Sequence, residues 1–328
     1  QRRDNFYSFV AEKLEGVRLM TLAEMMDIVE DRAYFDQVLR QLDAPAYAIK
    51  NPTVVGKVKP RCPLALDDFE FLRQHTQRPI KVTLPGPYLL TRSMWVKGVS
   101  DQAYPTREAL AEDVVAILRE EVLRLRDAGA AFVQLDEPVL SEVALRPRTT
   151  VRTFMCAAIA VSAEDPAAEL LWATQLVNAV VGDTKDIRLG VHVCRGNWTQ
   201  REEVLLTGSY QPLLSYLVSM HVGQWVLEFA TPRAGDLGVF KVCPNIREIG
   251  LGVVNPRSTS IETVDVITSR VREALHYFKP SQVFLNPDCG FGTFADRPIA
   301  TPESATQKLR VMTEAARALR REYGSSSV

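Results

Sequence analysis

The chain has 328 residues, of which 46% are hydrophobic and 24% charged, and a formal net charge of -1; this is the composition of a globular protein large enough to bury a core. That charge balance, with no Lys/Arg block interleaved with aromatics, gives no ground for a nucleic-acid partner, and no apolar run reaches the roughly 18 residues of a membrane span. The cysteines Cys62, Cys156, Cys194, Cys243 and Cys289 are odd in number and widely scattered, which argues against a disulfide scaffold and for reduced thiols in a cytoplasmic setting.

Before residue 78, Asp4 to Leu14, Thr21 to Val29 and Ala33 to Leu42 read as helices, and AYAIKNPTVVGKVK as a β-hairpin arm. From there onward short β-branched runs alternate with amphipathic stretches, the pattern of βα units building a parallel sheet. Six strands are predicted: PIKVTLP (79–85), AAFVQLD (130–136), DIRLGVHVC (186–194), QWVLEF (224–229), REIGLGVV (247–254) and SQVFLNP (281–287). After the first of them, Leu84-Pro85-Gly86-Pro87-Tyr88 reads as a rigid loop. The stretches 107–128, 164–181, 210–219, 260–277 and 302–322 carry apolar positions three or four apart and are read as helices. The expected fold is α/β, a (β/α)8 TIM-type barrel forming one domain over 1–328, with a helical and hairpin part over 1–77, six βα units over 78–322 and a disordered tail over 323–328. Eight strands close such a barrel, so the first one or two are expected upstream of Gln1.

Four of the predicted strands are followed by residues able to build or shape a metal site, at the end where α/β enzymes carry their chemistry. Asp136 and Glu137 follow the second strand, His192 and Cys194 end the third, Glu228 ends the fourth, and Cys289 follows the sixth in NPDCGFGT. His192 and Cys194 are two apart, so on a strand both side chains leave the same face. Two thiolates, an imidazole and a carboxylate make a complete tetrahedral zinc set. Singly, each has a plainer reading: a buried cysteine as a small hydrophobe, Glu228 as a helix cap or ion-pair partner. Cys62, Cys156 and Cys243 read as structural, and His75, His221 and His276 as surface or packing residues. Asp136 and Glu137 stand where a substrate ammonium could be held, Arg195 and Arg233 could meet a substrate carboxylate or a surface acid, and Trp95 and Trp198 could stack on a flat ligand. Asn197-Trp198-Thr199 matches a glycosylation acceptor, a three-residue pattern frequent by chance.

Together, LPGPY, VQLDEPVL, GVHVCRGNW, LEFATPRAGDL, IGLGVVN and NPDCGFGT, with QRRDNFYSF near the start, resemble in sequence and order the catalytic barrel of cobalamin-independent methionine synthases, in the size of the short members. The resemblance implies that His192, Cys194, Glu228 and Cys289 hold Zn2+, that Asp136 binds the amino group of homocysteine, and that a methyl group passes to the homocysteine thiol. The family's Gly-Ser strand and the Gly-Glu ahead of QRRD are not in this sequence. Nor is the histidine that the folate-using members carry after the REIGLGVV strand: Asn255-Pro256-Arg257-Ser258 stands there, leaving Asn255 as the loop's polar group toward substrate. Without that proton donor the methyl source is open between methyltetrahydrofolate and methylcobalamin or a corrinoid protein. Two other readings are kept: a zinc-dependent thiol alkyltransferase of the epoxyalkane–coenzyme M type, and a zinc-stabilised binding protein without turnover.

Overall fold

The computed structural model describes residues 5–28, 32, 33, 36, 49–145, 165–243, 247–295 and 297–324. In chain order these form α1 (Val10–Lys13), β1 (Leu14–Thr21), α2 (Leu22–Met25), β2 (Lys50–Pro60), α3 (Leu66–Arg73), β3 (Lys81–Pro85), α4 (Pro87–Met94), α5 (Arg107–Asp127), β4 (Phe132–Asp136), α6 (Val139–Leu145), α7 (Pro166–Val181), β5 (Arg188–Val193), α8 (Leu214–Ser219), β6 (Gln224–Leu227), β7 (Glu248–Val254), α9 (Val264–Ala274), β8 (Val283–Pro287) and α10 (Pro302–Tyr323).

β3 to β8 form one parallel six-stranded sheet in sequential order. All six predicted strands are present, trimmed by as many as two residues at one or both ends. Alternation along them separates two faces. Leu189, Val191 and Val193 of β5 point outward into the helical layer and are buried, whereas His192 lines the concave side. The sheet curls strongly. Arg188 of β5 pairs with Glu248 of β7 at 2.8 Å and lies over the Phe284 ring of β8 at 4.8 Å. Lys81 of β3, the first strand, donates to Asn286 Oδ1 of β8, the last, at 3.3 Å. The inward side chains of the outermost strands therefore meet across the interior as in a barrel wall, yet among the described residues β3 and β8 share no backbone ladder.

The helices begin where their sequences supply a cap. Thr106, Thr263 and Thr301 accept from the backbone N–H three residues on, and Asp165 accepts from Ala167 and Ala168 ahead of a first-turn proline. Among the described residues no helix is long and apolar enough to cross a membrane.

The N-terminal part departs from its sequence reading. Residues 14–21 form strand β1, between two single-turn helices where longer helices were expected, and β1 pairs antiparallel with β2. The expected hairpin segment is thus one long strand whose partner lies upstream; burial along β1 recurs every third residue, at Leu14, Val17 and Met20, so no period-two pattern marked it as a strand. The helix expected over Ala33 to Leu42 falls largely outside the described residues, as does Cys156. The loop expected at LPGPY is a second departure: Pro87 opens α4, a proline in the first turn that loses no helical hydrogen bond. α10 reaches Tyr323, and of the expected tail residues 325–328 lie outside the described range.

Buried polar contacts tie this arm to the barrel helices. Glu121 of α5 accepts from the backbone N–H of Ala65 (2.7 Å) and Leu66 (3.0 Å) at the start of α3, and Val58 N–H of β2 donates to the Tyr104 hydroxyl at 2.8 Å. Replacing Glu121 by Leu leaves the buried Ala65 amide and the part-buried Leu66 amide unpaired and should lower stability by about 1–3 kcal/mol; an unchanged urea midpoint would remove Glu121 from the account of the arm.

Candidate metal centre and substrate cavity

The concave face holds a cavity of about 370 Å³, within the size range of small-molecule sites. Register brings its walls together: Asp136 pairs with His192 across β4 and β5, and His192 with Val226 across β5 and β6. Cys194 follows two residues beyond His192, and Cys289 enters from the loop after β8. The ligand atoms of His192, Cys194 and Cys289 all lie within 4.8 Å of one another.

The chemistry of these three groups suits a soft or borderline cation. His192 Nδ1 lies 3.0 Å from the Val226 carbonyl oxygen; a carbonyl can only accept, so Nδ1 carries a proton and Nε2 is the nitrogen left to face the sulfurs. That backbone orientation of a ligating imidazole is common at zinc sites. Burial pulls the His192 pKa down, but the Cys194 sulfur and the Asp136 charge more than offset it and hold it up at about 9. The Cys194 thiol is pulled well below its usual range by a hydrogen bond from Cys289, with His192 adding to the effect against the cost of burial. Cys289 is displaced the other way, as donor to an anionic neighbour. A dication bound there would take the place of the protons that these three groups share.

Asp136 lines the same cavity. Burial raises its pKa, while His192, a 2.6 Å hydrogen bond from Gln134 Nε2 and the Lys81 charge act in the opposite direction. Trp198 also lines the wall. The other proposed substrate residues stand elsewhere. Trp95 gives its indole N–H to the Tyr104 carbonyl at 2.9 Å, outside the cavity lining. Asn255 shapes its own loop, its N–H bound to Glu262 Oε1 and its Oδ1 accepting from Arg257 N–H.

Glu137 is fully buried behind the cavity wall and faces α4, where its oxygens accept from the backbone N–H of Tyr88 (2.7 Å) and Leu89 (2.9 Å). Burial pushes this carboxyl up to about 8, with the two amides pulling against it. It closes the N-terminus of the helix that the LPGPY motif begins, and Gly86 leaves room for it: a Cβ there would sit 2.3 Å from the Glu137 carboxyl carbon.

Glu228 is wholly buried and lies outside the group of three. Its Oε1 accepts from Arg233 Nε at 3.0 Å and from Arg233 Nη2; its Oε2 accepts from Arg195 N–H at 3.0 Å and Asn197 Nδ2 at 3.1 Å. Neither arginine reads as a surface group. Arg195 is buried, stacks over the Tyr210 ring at 3.9 Å and donates to the Gly208 carbonyl and the Ser141 hydroxyl. Asp288, beside Cys289, accepts from the backbone N–H of Phe229 (3.0 Å) and Ala230 (2.9 Å), its carboxyl pushed well up by burial and by the Glu228 charge. A Cβ at Gly252 would lie 2.1 Å from Asp288 Oδ1, so that strand position must be glycine for the carboxyl to fit.

Asn197, Asp288, Gln134 and Lys81 were not singled out as site residues in the sequence. Strand parity could have found Gln134 and Lys81: both are polar, at even spacing from Asp136 or Thr83, in otherwise apolar strands. Asn197 and Asp288 offered only their neighbours, Cys194 and Cys289.

A profile described as "Cobalamin-independent synthase, Catalytic domain" matches residues 35–318. The chain belongs to this family. It is 31% identical over 269 residues to a methionine synthase of Pyrococcus abyssi, covering 82% of this chain and 65% of that protein. It is 28% identical over 291 residues to a methionine synthase of Sulfolobus acidocaldarius, covering 88% and 68%. The chain thus spans about two thirds of the length of these relatives. A structure of a B12-independent methionine synthase from Shewanella sp. W3-18-1, in complex with selenomethionine, superposes with a TM-score of 0.69 over 97% of this chain and 80% of that one at 20% identity, a likeness of fold.

Replacing Gly86 by Ala forces its methyl group against Glu137 and should cost about 1–3 kcal/mol of stability. In a Glu137→Ala background the same substitution should cost less, as measured by a denaturation cycle; equal costs in the two backgrounds would mean that Gly86 serves some other contact.

Proposed function

We propose that this protein is a zinc-dependent methyltransferase that moves a methyl group to the thiol of homocysteine and yields methionine in the cytoplasm. One observation carries the reading: two thiols and an imidazole converge within 4.8 Å at the wall of a small-molecule cavity that also holds Asp136. His192, Cys194 and Cys289 are proposed as ligands of Zn2+, with Glu228 as the fourth. Zinc bound there would lower the pKa of an incoming thiol, which otherwise titrates near ~8.5, and so make it a nucleophile at neutral pH.

The chain's own groups do the remainder. Asp136, steadied by Gln134, is placed to accept the substrate ammonium and so to fix the amino acid relative to the ligand cluster. Trp198 covers the wall. Val226, through its carbonyl, keeps the His192 ring turned toward the sulfurs. Proton supply to a departing donor is the least developed part of the site. Arg257, in the loop where folate-using members carry a histidine, is buried, pairs with Glu202 at 2.6 Å and donates to Asn197 at 3.0 Å; a guanidinium this firmly held is no general acid. A donor that leaves without taking a proton, such as methylcobalamin or a methylcorrinoid protein, suits this loop better than methyltetrahydrofolate. A sulfonate-bearing thiol would call for guanidinium groups facing the cavity, and neither Arg195 nor Arg233 is among its lining residues.

Purified protein given homocysteine with methylcobalamin, and separately with methyltetrahydrofolate, should form methionine from at least one donor. The product should vanish with a zinc chelator and return with added zinc; no methionine from either donor would contradict the reading. Cys289→Ala should weaken zinc binding at least about 100-fold, since even supporting residues around a metal are worth 10–100-fold. Undiminished zinc content would remove Cys289 from the ligand set.

A further inference from the structure

We infer that Arg233, together with Asn197 and the Arg195 amide, is a second seat for the Glu228 carboxylate, one that competes with the metal for it. The inference rests on the proposed role of Glu228 as fourth ligand. Four donors from three residues fill both carboxylate oxygens, with Nε and Nη2 of Arg233 gripping one of them. Such charge-assisted contacts are the strong class of hydrogen bond.

The seat is built to stand without its occupant. Asn197 Oδ1 accepts from Arg233 Nη2 at 3.2 Å and from Arg257 Nε at 3.0 Å, so two guanidinium groups fix the amide and turn its Nδ2 toward Glu228. Arg233 keeps Asn197 as a partner whether or not Glu228 is present, and Asp288 is its other acidic neighbour. The backbone of Glu228 is pinned: its N–H donates to the Tyr210 hydroxyl at 2.9 Å, and that hydroxyl donates to the Val193 carbonyl at 2.6 Å. A change of seat is therefore a side-chain rotation with the strand ends fixed. The Arg195 amide in the seat belongs to the residue directly after Cys194, so the seat and the ligand cluster share one turn of chain. Arg233 is accordingly a positioning residue: it weakens the hold of Glu228 on the metal and receives the carboxylate when a substrate sulfur takes its place.

Zinc affinity, measured by chelator competition with the intact protein, reads this directly. Arg233→Met should bind zinc about tenfold more tightly than the wild type, the equivalent of about 1.4 kcal/mol, and the gain should vanish when Glu228→Gln is added. Arg233→Lys, which keeps the charge but loses the two-point grip, should give a smaller gain in the same direction, as should Asn197→Ala, and these serve if Arg233→Met does not fold. Unchanged or weaker zinc binding in the Arg233 and Asn197 variants, alongside a Glu228→Gln variant that does bind zinc more weakly, overturns the second seat. If Glu228→Gln leaves zinc affinity unaltered, Glu228 is not a ligand, and that part of the proposed function fails together with the seat.

Discussion

The parallel register of β4, β5 and β6 is the constraint on which the site depends. It sets Asp136 beside His192 and His192 beside Val226, so that one inward row supplies a carboxylate, an imidazole and, through the Val226 carbonyl, the acceptor that orients that imidazole. A one-residue slip in any of these ladders would turn its side chains to the helical layer. The outward faces guard against this: Val133, Leu135, Val191, Val193, Trp225 and Leu227 are all essentially buried, and a slip would bring polar groups into their place. The cysteines extend the row, Cys194 by continuing β5 and Cys289 by the return of the chain after β8.

Around that row, buried carboxyl groups are paired mostly with backbone. Glu137 closes the start of α4, Asp288 holds the two amides after Glu228, and Glu121 opens α3. Buried acidic groups left without donors would be costly; here each is placed where a strand or helix end exposes free N–H groups. Glu228 differs, since it is held chiefly by side chains. Contacts of that kind can be exchanged by rotation, whereas a carboxyl woven into backbone amides cannot leave without opening the fold.

Much of this was legible in the sequence. Six β-branched runs matched six strands, because the face of a parallel strand that packs under helices must be apolar, and polar residues at the C-terminal ends of those runs stood out against that background. The N-terminal arm was less legible: β1 and β2 are joined across a long sequence separation, and periodicity reports only local pattern. LPGPY misled in the opposite sense, since two prolines and a glycine suggest a loop, although a proline at the first turn also starts a helix. Glu137 and Asp136 could not be told apart by type, and the pleat separates them, one facing the cavity and its neighbour the helices. The partners of Glu228 were invisible for another reason, as they come from three segments that only the fold assembles.

The central claim is that His192, Cys194 and Cys289 form a thiolate-rich centre made to accept a further sulfur. X-ray absorption at the zinc edge of the metal-loaded protein tests it most directly. The account predicts two sulfur scatterers at about 2.3 Å with nitrogen or oxygen completing the shell, and a third sulfur when homocysteine is added. A shell without sulfur, or one that homocysteine leaves unchanged, would contradict it.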